Sequence, residues 1–105
     1  MRMDFTQLEK NSTRASQLLK VMSNEKRLMI LCNLLDGERS VQQLQEATGL
    51  GQSTVSQQLA VLRGERLVKH RREAQQVFYE IDSADAAAVL ETLYRVYCGG
   101  EHPAG

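Results

Sequence analysis

The spacing of apolar residues along the 105-residue chain is helical at first, and it predicts two helices before residue 38. From Asp4 to Met22 the apolar positions predict one amphipathic helix. A second helix is expected to begin after Ser23 as its N-cap and to end at Asp36-Gly37. Its predicted inner stripe consists of Leu28, Leu31, Cys32 and Leu35.

Two short helices separated by a tight turn are predicted next. Ser40 and Gln43 have the spacing of a capping box, which predicts a helix over residues 40–47 that Gly49 ends. Gly51 is expected to be the N-cap of the following helix. The buried side of that helix is predicted to consist of Val55, Leu59 and Leu62. Short helices joined by a Gly-containing turn indicate a helix-turn-helix unit.

From residue 67 onward apolar and polar residues alternate, which is typical of strands. Residues 67–72 and 76–81, with Glu73-Ala74-Gln75 between them, predict a β-hairpin. Ser83 is expected to cap a last helix. The predicted apolar face of that helix consists of Val89, Leu90, Leu93, Val96 and Tyr97.

The predicted order is α-α-α-α-β-β-α, a mainly helical fold with a small β-hairpin that serves as a wing. Such a winged helix-turn-helix occupies a single domain, here residues 1–105, with a flexible tail over about 99–105 after Gly99-Gly100. The first and last helices carry more apolar surface than one small domain can bury. We therefore expect a homodimer joined through these two helices.

Charge is distributed unevenly, although the formal net charge is zero. Residues 63–72 contain five basic residues and one acidic residue, whereas residues 73–105 contain one Arg and six acidic residues. A basic patch backed by an acidic end is typical of a protein that presents one face to DNA. Charge alone is equally compatible with a solvated cluster.

The exposed side of the second short helix is uncharged, and its amides and hydroxyls are suited to base edges in the major groove. The basic hairpin would contact phosphates. The predicted partner is double-stranded operator DNA with an imperfect inverted repeat, because a two-fold dimer places its recognition helices roughly 34 Å apart. The predicted DNA-binding residues are Gln52, Ser53, Thr54, Ser56, Gln57, Gln58, Arg63, Lys69, His70, Arg71, Arg72 and Gln75.

Three segments, residues 18–32, 52–59 and 72–79, resemble the ArsR/SmtB family of regulators, and the resemblance covers nearly the whole chain. Within that family the sequence is most similar to the dithiol branch, the HlyU/BigR/SqrR-like regulators. Members of that branch carry one Cys in the second helix and one at the end of the last helix, as Cys32 and Cys98 do here. The resemblance implies a regulator whose operator affinity changes when an oxidant or a reactive sulfur species such as a persulfide modifies both thiols.

The sequence departs from the family pattern at three positions. Gln58 replaces a common His, and Gly51 replaces a Ser N-cap. Arg66 stands where a Gly often closes the recognition helix, and Gly64 lies two residues earlier. If Arg66 adopts a left-handed conformation it will be strained, and the helix is expected to end one turn sooner.

Two alternatives to thiol sensing are compatible with the sequence. Cys32 on a buried stripe could be a packing residue, which would leave a regulator with structural cysteines. A metal-sensing repressor would need several Cys, His or carboxylate ligands at suitable spacing. The chain offers only isolated histidines, His70 in the wing and His102 in the tail, so no metal or other cofactor is expected.

Other function classes have little support in the sequence. There is no Gly-rich phosphate loop and no nucleophile motif, so the chain is not expected to be an enzyme. A winged-helix module for protein association is the strongest alternative that does not involve DNA. No secretory signal or membrane-spanning stretch is evident, which favours a cytoplasmic location.

Overall fold

A computed structural model describes residues 3–99. Its helices are α1 (Thr6–Lys10), α2 (Ser12–Met22), α3 (Glu25–Asn33), α4 (Val41–Thr48), α5 (Gln52–Gly64) and α6 (Ala84–Cys98). Its strands are β1 (Arg39–Ser40), β2 (Val68–Glu73) and β3 (Gln76–Ile81), which form an antiparallel sheet in the order β1-β3-β2. The predicted winged helix-turn-helix is confirmed, with α4 and α5 as the helix-turn-helix and β2-β3 as the wing. The predicted tail from residue 100 onward lies outside the described residues.

The N-terminal segment forms two helices, so the prediction of one helix over 4–22 is wrong. The break lies at Asn11, whose backbone has φ −105° and ψ 14°. Its side-chain Nδ2 donates to the carbonyl oxygen of Gln7 at 2.9 Å. An Asn side chain that competes for backbone groups favours such interruptions. No residue of α1 is buried, so tertiary packing does not oppose the break.

The predicted N-cap of α3 is also wrong by one residue. Asn24 accepts the Arg27 backbone N–H on its side-chain oxygen at 3.0 Å, whereas the Ser23 hydroxyl donates to the Lys20 carbonyl at 3.0 Å. Ser23 therefore closes α2 and Asn24 opens α3. The latter helix ends at Asn33, before the predicted stop, and Gly37 takes φ 146° in the turn that follows.

The inner stripe of α3 differs from the prediction, and the difference concerns Cys32. Ile30, Leu31 and Leu34 are buried, Leu28 and Leu35 are half-buried, and Cys32 is exposed. Because apolar residues occur on most sides of this helix, the sequence left its orientation open. The predicted place of Cys32 on the inner stripe is therefore wrong.

Local signals predicted the helix-turn-helix correctly. Ser40 and Gln43 form the capping box, with the Ser40 N–H donating to Gln43 Oε1 at 2.8 Å and the Gln43 N–H to Ser40 Oγ at 3.1 Å. Gly49 ends α4 with φ 76°, a left-handed conformation that favours glycine. On α5, the three predicted core residues are fully buried, namely Val55, Leu59 and Leu62. These contacts fix the outward-facing side of α5.

The end of α5 carries the strain that the sequence predicts at Arg66. Arg66 has φ 63°, its N–H donates to the Arg63 carbonyl at 3.0 Å, and the Leu67 N–H donates to the Leu62 carbonyl at 2.9 Å. These two bonds define a Schellman motif, with an Arg where glycine is usual. The helix itself continues to Gly64, so the expectation that it ends one turn sooner is wrong. The strained turn places Leu67 in the core and starts β2.

The wing has a two-residue turn, one residue shorter than predicted. Glu73 pairs with Gln76, and Ala74 takes φ 56° in the turn. The short strand β1, which adds to the two strands of the wing, was not predicted from the sequence. It pairs Arg39 with Tyr79 and joins the wing to the start of α4.

The last helix begins as predicted, because Ser83 Oγ accepts the Ala86 N–H at 3.0 Å. Ala86 and Leu90 are buried, and the second half of the helix extends past the core, leaving Val96 and Tyr97 exposed. Within residues 3–99, no helix combines the length and apolar character needed to cross a bilayer.

Candidate DNA interface and cysteine pair

The outward side of α5 presents uncharged polar groups. Gln52, Ser53, Ser56 and Gln57 are exposed, and Thr54 is half-buried. The burial of the opposite side against the core gives this surface a fixed orientation. A helix with such a surface can enter the major groove without repelling phosphates and can donate to or accept from base edges.

A polar groove of about 590 Å³ lies between the start of α5, α4 and the wing. It brings Gln52 and Ser56 together with Gln75 at the tip of the wing. The structure adds three glutamines to its lining that the sequence analysis did not single out, Gln42, Gln45 and Gln76. A signal for the first two was available, because residues three apart on a capped helix share one face. The groove offers many amide hydrogen-bonding groups and no charge along its lining.

Two basic wing residues lie on the groove side of the hairpin. His70 pairs with Tyr79 and Arg72 pairs with Val77, and both of these partners line the groove. Directly opposed residues share one face of a sheet. His70 and Arg72 are exposed, and the His70 ring lies 5.6 Å from that of Tyr79. Their positive or hydrogen-bonding groups therefore flank the uncharged surface.

Arg71 lies on the opposite face of the wing and is held there by carboxylates. Its Nε and Nη2 each donate to Glu38 at 2.7 Å, and its Nη1 donates to Glu73 at 2.6 Å. Its guanidinium carbon lies 4.7 Å from the centroid of the Phe78 ring. The hydrogen bonds with Glu38 and Glu73 raise the pKa of Arg71, and the bond from Arg71 lowers the pKa of Glu38. This arrangement anchors the wing to the loop after α3.

Lys69 shares that opposite face, because it lies two residues from Arg71 along the strand. Its Nζ is 3.9 Å from Glu80 and 3.8 Å from Asp82. The structure therefore separates the predicted basic cluster into two faces. His70 and Arg72 flank the groove, whereas Lys69 and Arg71 contact acidic residues.

Gln58 also differs in placement from the other predicted residues of α5. It is half-buried, and its Oε1 accepts a hydrogen bond from Arg27 Nη1 at 3.0 Å. The Nε of Arg27 donates to the Val21 carbonyl at 2.7 Å. Gln58 thus connects α5 to α2 and α3 on the inner side. Arg63 is exposed in the last turn of α5.

The two cysteines are free and exposed, at the end of α3 and at the end of α6. Cys98 lies one turn beyond Tyr94 on α6, and Tyr94 lines the same pocket as Cys32. Partial burial raises the pKa of the Cys32 thiol, and the charge of Cys98 raises it further. Both effects oppose ionisation of the Cys32 thiol.

The pocket around Cys32, called the thiol pocket below, has a volume of about 350 Å³. It lies between the end of α3, the start of β1 and α6, and it is lined by Cys32, Asn33, Leu35, Asp36, Arg39 and Tyr94. In the part of the chain that the structure describes, no three His, Cys, Asp or Glu side chains are grouped as a metal site would require.

Comparison with known proteins gives consistent matches. The family of bacterial regulatory proteins called arsR matches residues 24–70. The transcriptional activator HlyU of Vibrio cholerae is 51% identical over 91% of this chain and 89% of its own length. The biofilm growth-associated repressor of Xylella fastidiosa (strain 9a5c) is 42% identical over 92% of this chain and 85% of its own. Both are named as transcriptional regulators, in agreement with the prediction that the chain is not an enzyme.

Solved structures show the same similarity. Reduced HlyU from Vibrio cholerae N16961 superposes with a TM-score of 0.83 at 52% identity, covering 88% of this chain and 97% of that one. The repressor BigR from Xylella fastidiosa superposes with a TM-score of 0.86 at 42% identity, and the match covers 91% of this chain and 98% of that one. A homodimeric winged helix-turn-helix DNA-binding domain from Mycobacterium bovis superposes with a TM-score of 0.72 at 30% identity. That match covers 91% of this chain and 89% of the domain.

Proposed function

The chain belongs to the ArsR family of bacterial transcriptional regulators, and we propose that it binds an operator with two inverted half-sites as a homodimer. The observation that carries the proposal is the uncharged polar groove between α5 and the wing, flanked by His70 and Arg72. In this proposal α5 enters the major groove, where Gln52, Ser56 and Gln57 contact base edges. Ser53 and Thr54 lie in its first turn, and the N-terminal residues of a recognition helix contact base edges.

The basic residues have two different roles in this proposal. Arg63, His70 and Arg72 contact phosphates, and Gln75 at the wing tip reaches the neighbouring groove of the DNA. Lys69 and Arg71 orient the wing through their carboxylate partners. Gln58 holds α5 in place through Arg27. Phosphate contacts set affinity and register, and base contacts set sequence preference.

Two apolar surfaces support the dimer. The exposed side chains include Phe5 (57% exposed) at the N-cap of α1, Leu8 (58%) on α1 and Leu19 (55%) on α2. On α6 they include Val96 and Tyr97 (78%). Exposed apolar patches of this kind mark interaction surfaces. The homodimeric neighbour from Mycobacterium bovis has the same fold. A two-fold axis through these helices would present two copies of α5 to successive major grooves.

The proposed regulation acts through Cys32 and Cys98. A persulfide R–S–SH transfers its outer sulfur to the Cys32 thiolate, giving Cys32–S–SH and R–S⁻. The Cys98 thiolate then attacks the Cys32 sulfur, forming the disulfide and releasing HS⁻. Two protein thiols are oxidised and the transferred sulfur is reduced to sulfide. A further sulfur transfer before closure gives a polysulfide link.

A covalent link between these residues would couple α3, which packs against α5, to α6, which carries part of the dimer surface. Small shifts of packed helices change the separation of the two recognition helices, and a two-site contact is sensitive to that separation. Operator affinity should therefore fall without unfolding. The exposure of both cysteines favours this role over a packing role.

The DNA-binding part of the proposal is tested by selecting bound duplexes from a random pool with the reduced protein. The proposal predicts enrichment of an imperfect inverted repeat whose half-site centres lie about 10 base pairs apart. Enrichment of a single unrepeated site, or no enrichment at moderate salt, would contradict it. The second result would favour a winged helix used for protein association.

A further inference from the structure

The thiol pocket contains an arginine as well as a cysteine. Arg39 begins β1, and its Nε donates to the carbonyl oxygen of Asn33, the last residue of α3, at 2.7 Å. This bond fixes the guanidinium at the rim of the pocket, close to the end of the helix that carries Cys32. The other lining groups are the apolar Leu35, the ring of Tyr94, and the polar Asn33 and Asp36.

The outer nitrogens of Arg39 are weakly engaged. Nη2 lies 3.5 Å from Asp36 Oδ1, which is long for a charged hydrogen bond, and the Asp36 side chain is 79% exposed. Exposed ion pairs of this geometry contribute little to the stability of the fold. Within residues 3–99, Nη1 donates to no protein acceptor, so a ligand carboxylate could bind the guanidinium and displace Asp36.

The dimensions and reactivity of the pocket suit a small thiol-derived ligand. Its volume of about 350 Å³ is at the small end of ligand sites. The raised pKa of Cys32 leaves a small thiolate fraction near neutral pH. A contact that holds the ligand beside the sulfur would compensate for this by proximity.

We propose that Arg39 is a specificity-determining residue of the thiol pocket, which selects persulfides that carry a carboxylate. The inference rests on the proposed thiol-sensing function. The carboxylate binds the Arg39 guanidinium, the carbon skeleton lies against Leu35 and Tyr94, and the outer sulfur reaches Cys32. Asp36 opposes anionic ligands, because it competes for the same guanidinium.

Two probes test the inference, because they differ only in charge: N-acetylcysteine persulfide, which has a carboxylate, and N-acetylcysteine amide persulfide, which has none. The rate of Cys32 modification in the reduced full chain is followed by quenched mass spectrometry. Wild type should react about tenfold faster with the anionic probe, the low end of electrostatic rate enhancement. Arg39→Gln should abolish the difference by slowing only the anionic probe, and Asp36→Asn should enlarge it.

Arg39→Lys keeps the positive charge and should retain part of the preference. Arg14→Gln, an exposed arginine on α2 with no assigned role, is the matched control and should leave both rates unchanged. Equal wild-type rates with the two probes would overturn the role of Arg39 and leave thiol sensing intact. So would equal slowing of both probes in Arg39→Gln, which indicates a structural role. Failure of both probes to modify Cys32 would overturn the sensing function itself.

Discussion

Arg27 donates to Gln58 at 3.0 Å and thereby joins α3, the helix that carries Cys32, to α5, the helix proposed to enter the DNA groove. A second donor of the same side chain binds the Val21 carbonyl at 2.7 Å near the end of α2. One half-buried guanidinium therefore fixes three helices relative to one another. Its position makes it sensitive to any change in their packing.

Removing Arg27 should cost more stability than removing Gln58. Arg27→Ala loses both hydrogen bonds and is expected to lower the free energy of unfolding by about 2 kcal/mol, whereas Gln58→Ala loses one bond and should cost about 1 kcal/mol. Urea denaturation of both variants and the wild type measures the difference. A loss for Gln58→Ala as large as that for Arg27→Ala would contradict a contribution from the bond to Val21.

Replacing the strained Arg66 should stabilise the fold. Arg66→Gly relieves a left-handed conformation that costs a non-glycine residue about 1–2 kcal/mol, and the added freedom of the unfolded chain offsets part of that gain. We expect a net gain of about 0.5–1 kcal/mol in the free energy of unfolding. The matched control is Glu65→Gly, at φ −90°, which should destabilise. Stabilisation by both changes would contradict the assignment of strain to residue 66.

Base contacts and phosphate contacts should respond differently to mutation. Gln57→Ala is expected to reduce the preference for the operator over random DNA with little change in the salt dependence of binding. Arg72→Gln should weaken binding to all sequences and lower the logarithmic salt slope by about one per subunit. Titrations at several salt concentrations give both quantities. Equal losses on operator and random DNA for Gln57→Ala would refute its role.

The two adjacent wing arginines provide a sharper comparison. Because the donors of Arg71 are occupied by Glu38 and Glu73, Arg71→Gln should change the salt slope less than Arg72→Gln. It should instead lower stability, since it removes the anchor between the wing and the loop after α3. A salt slope that falls equally in both variants would place Arg71 on the DNA side.

The reactivity of Cys32 should depend on pH in a defined direction. Partial burial and the charge of Cys98 both raise its pKa, so the midpoint for alkylation of Cys32 by iodoacetamide should lie above the ordinary thiol value of about 8.5. Cys98→Ser removes the like charge and should lower the midpoint, though burial keeps it elevated. An unchanged or higher midpoint in Cys98→Ser would contradict the coupling of the two thiols.

Features that depend on a few neighbouring residues were predictable from the sequence. The capping box of Ser40 with Gln43, the stop at Gly49 and the buried side of α5 follow from local hydrogen bonding and spacing. The short strand β1 was not predictable, because two residues carry no periodicity and their strand exists only through pairing with β3. Local rules therefore gave the helix-turn-helix but not the full sheet.

The placement of side chains in the site depended on tertiary contacts. The orientation of Cys32 was missed because α3 has apolar residues on most sides, and packing selects Ile30 and Leu31 as the buried pair. Arg71 and Arg72 could not be separated by role, because the acidic partner of Arg71 comes from the loop after α3 at residue 38. Distances between elements are absent from a sequence pattern.

The proposed switch is a covalent link between Cys32 and Cys98 that lowers the affinity for operator DNA. The most direct measurement is fluorescence anisotropy of a labelled operator duplex with reduced and persulfide-treated protein, with the intact mass of the same samples recorded. The wild type should lose about 5- to 150-fold in affinity, the usual range of allosteric coupling, and recover it with dithiothreitol. Cys32→Ser and Cys98→Ser should each bind like the reduced wild type before and after treatment. Release of DNA by both treated single variants would contradict the proposed switch. So would full operator affinity in a wild type whose mass shows the link.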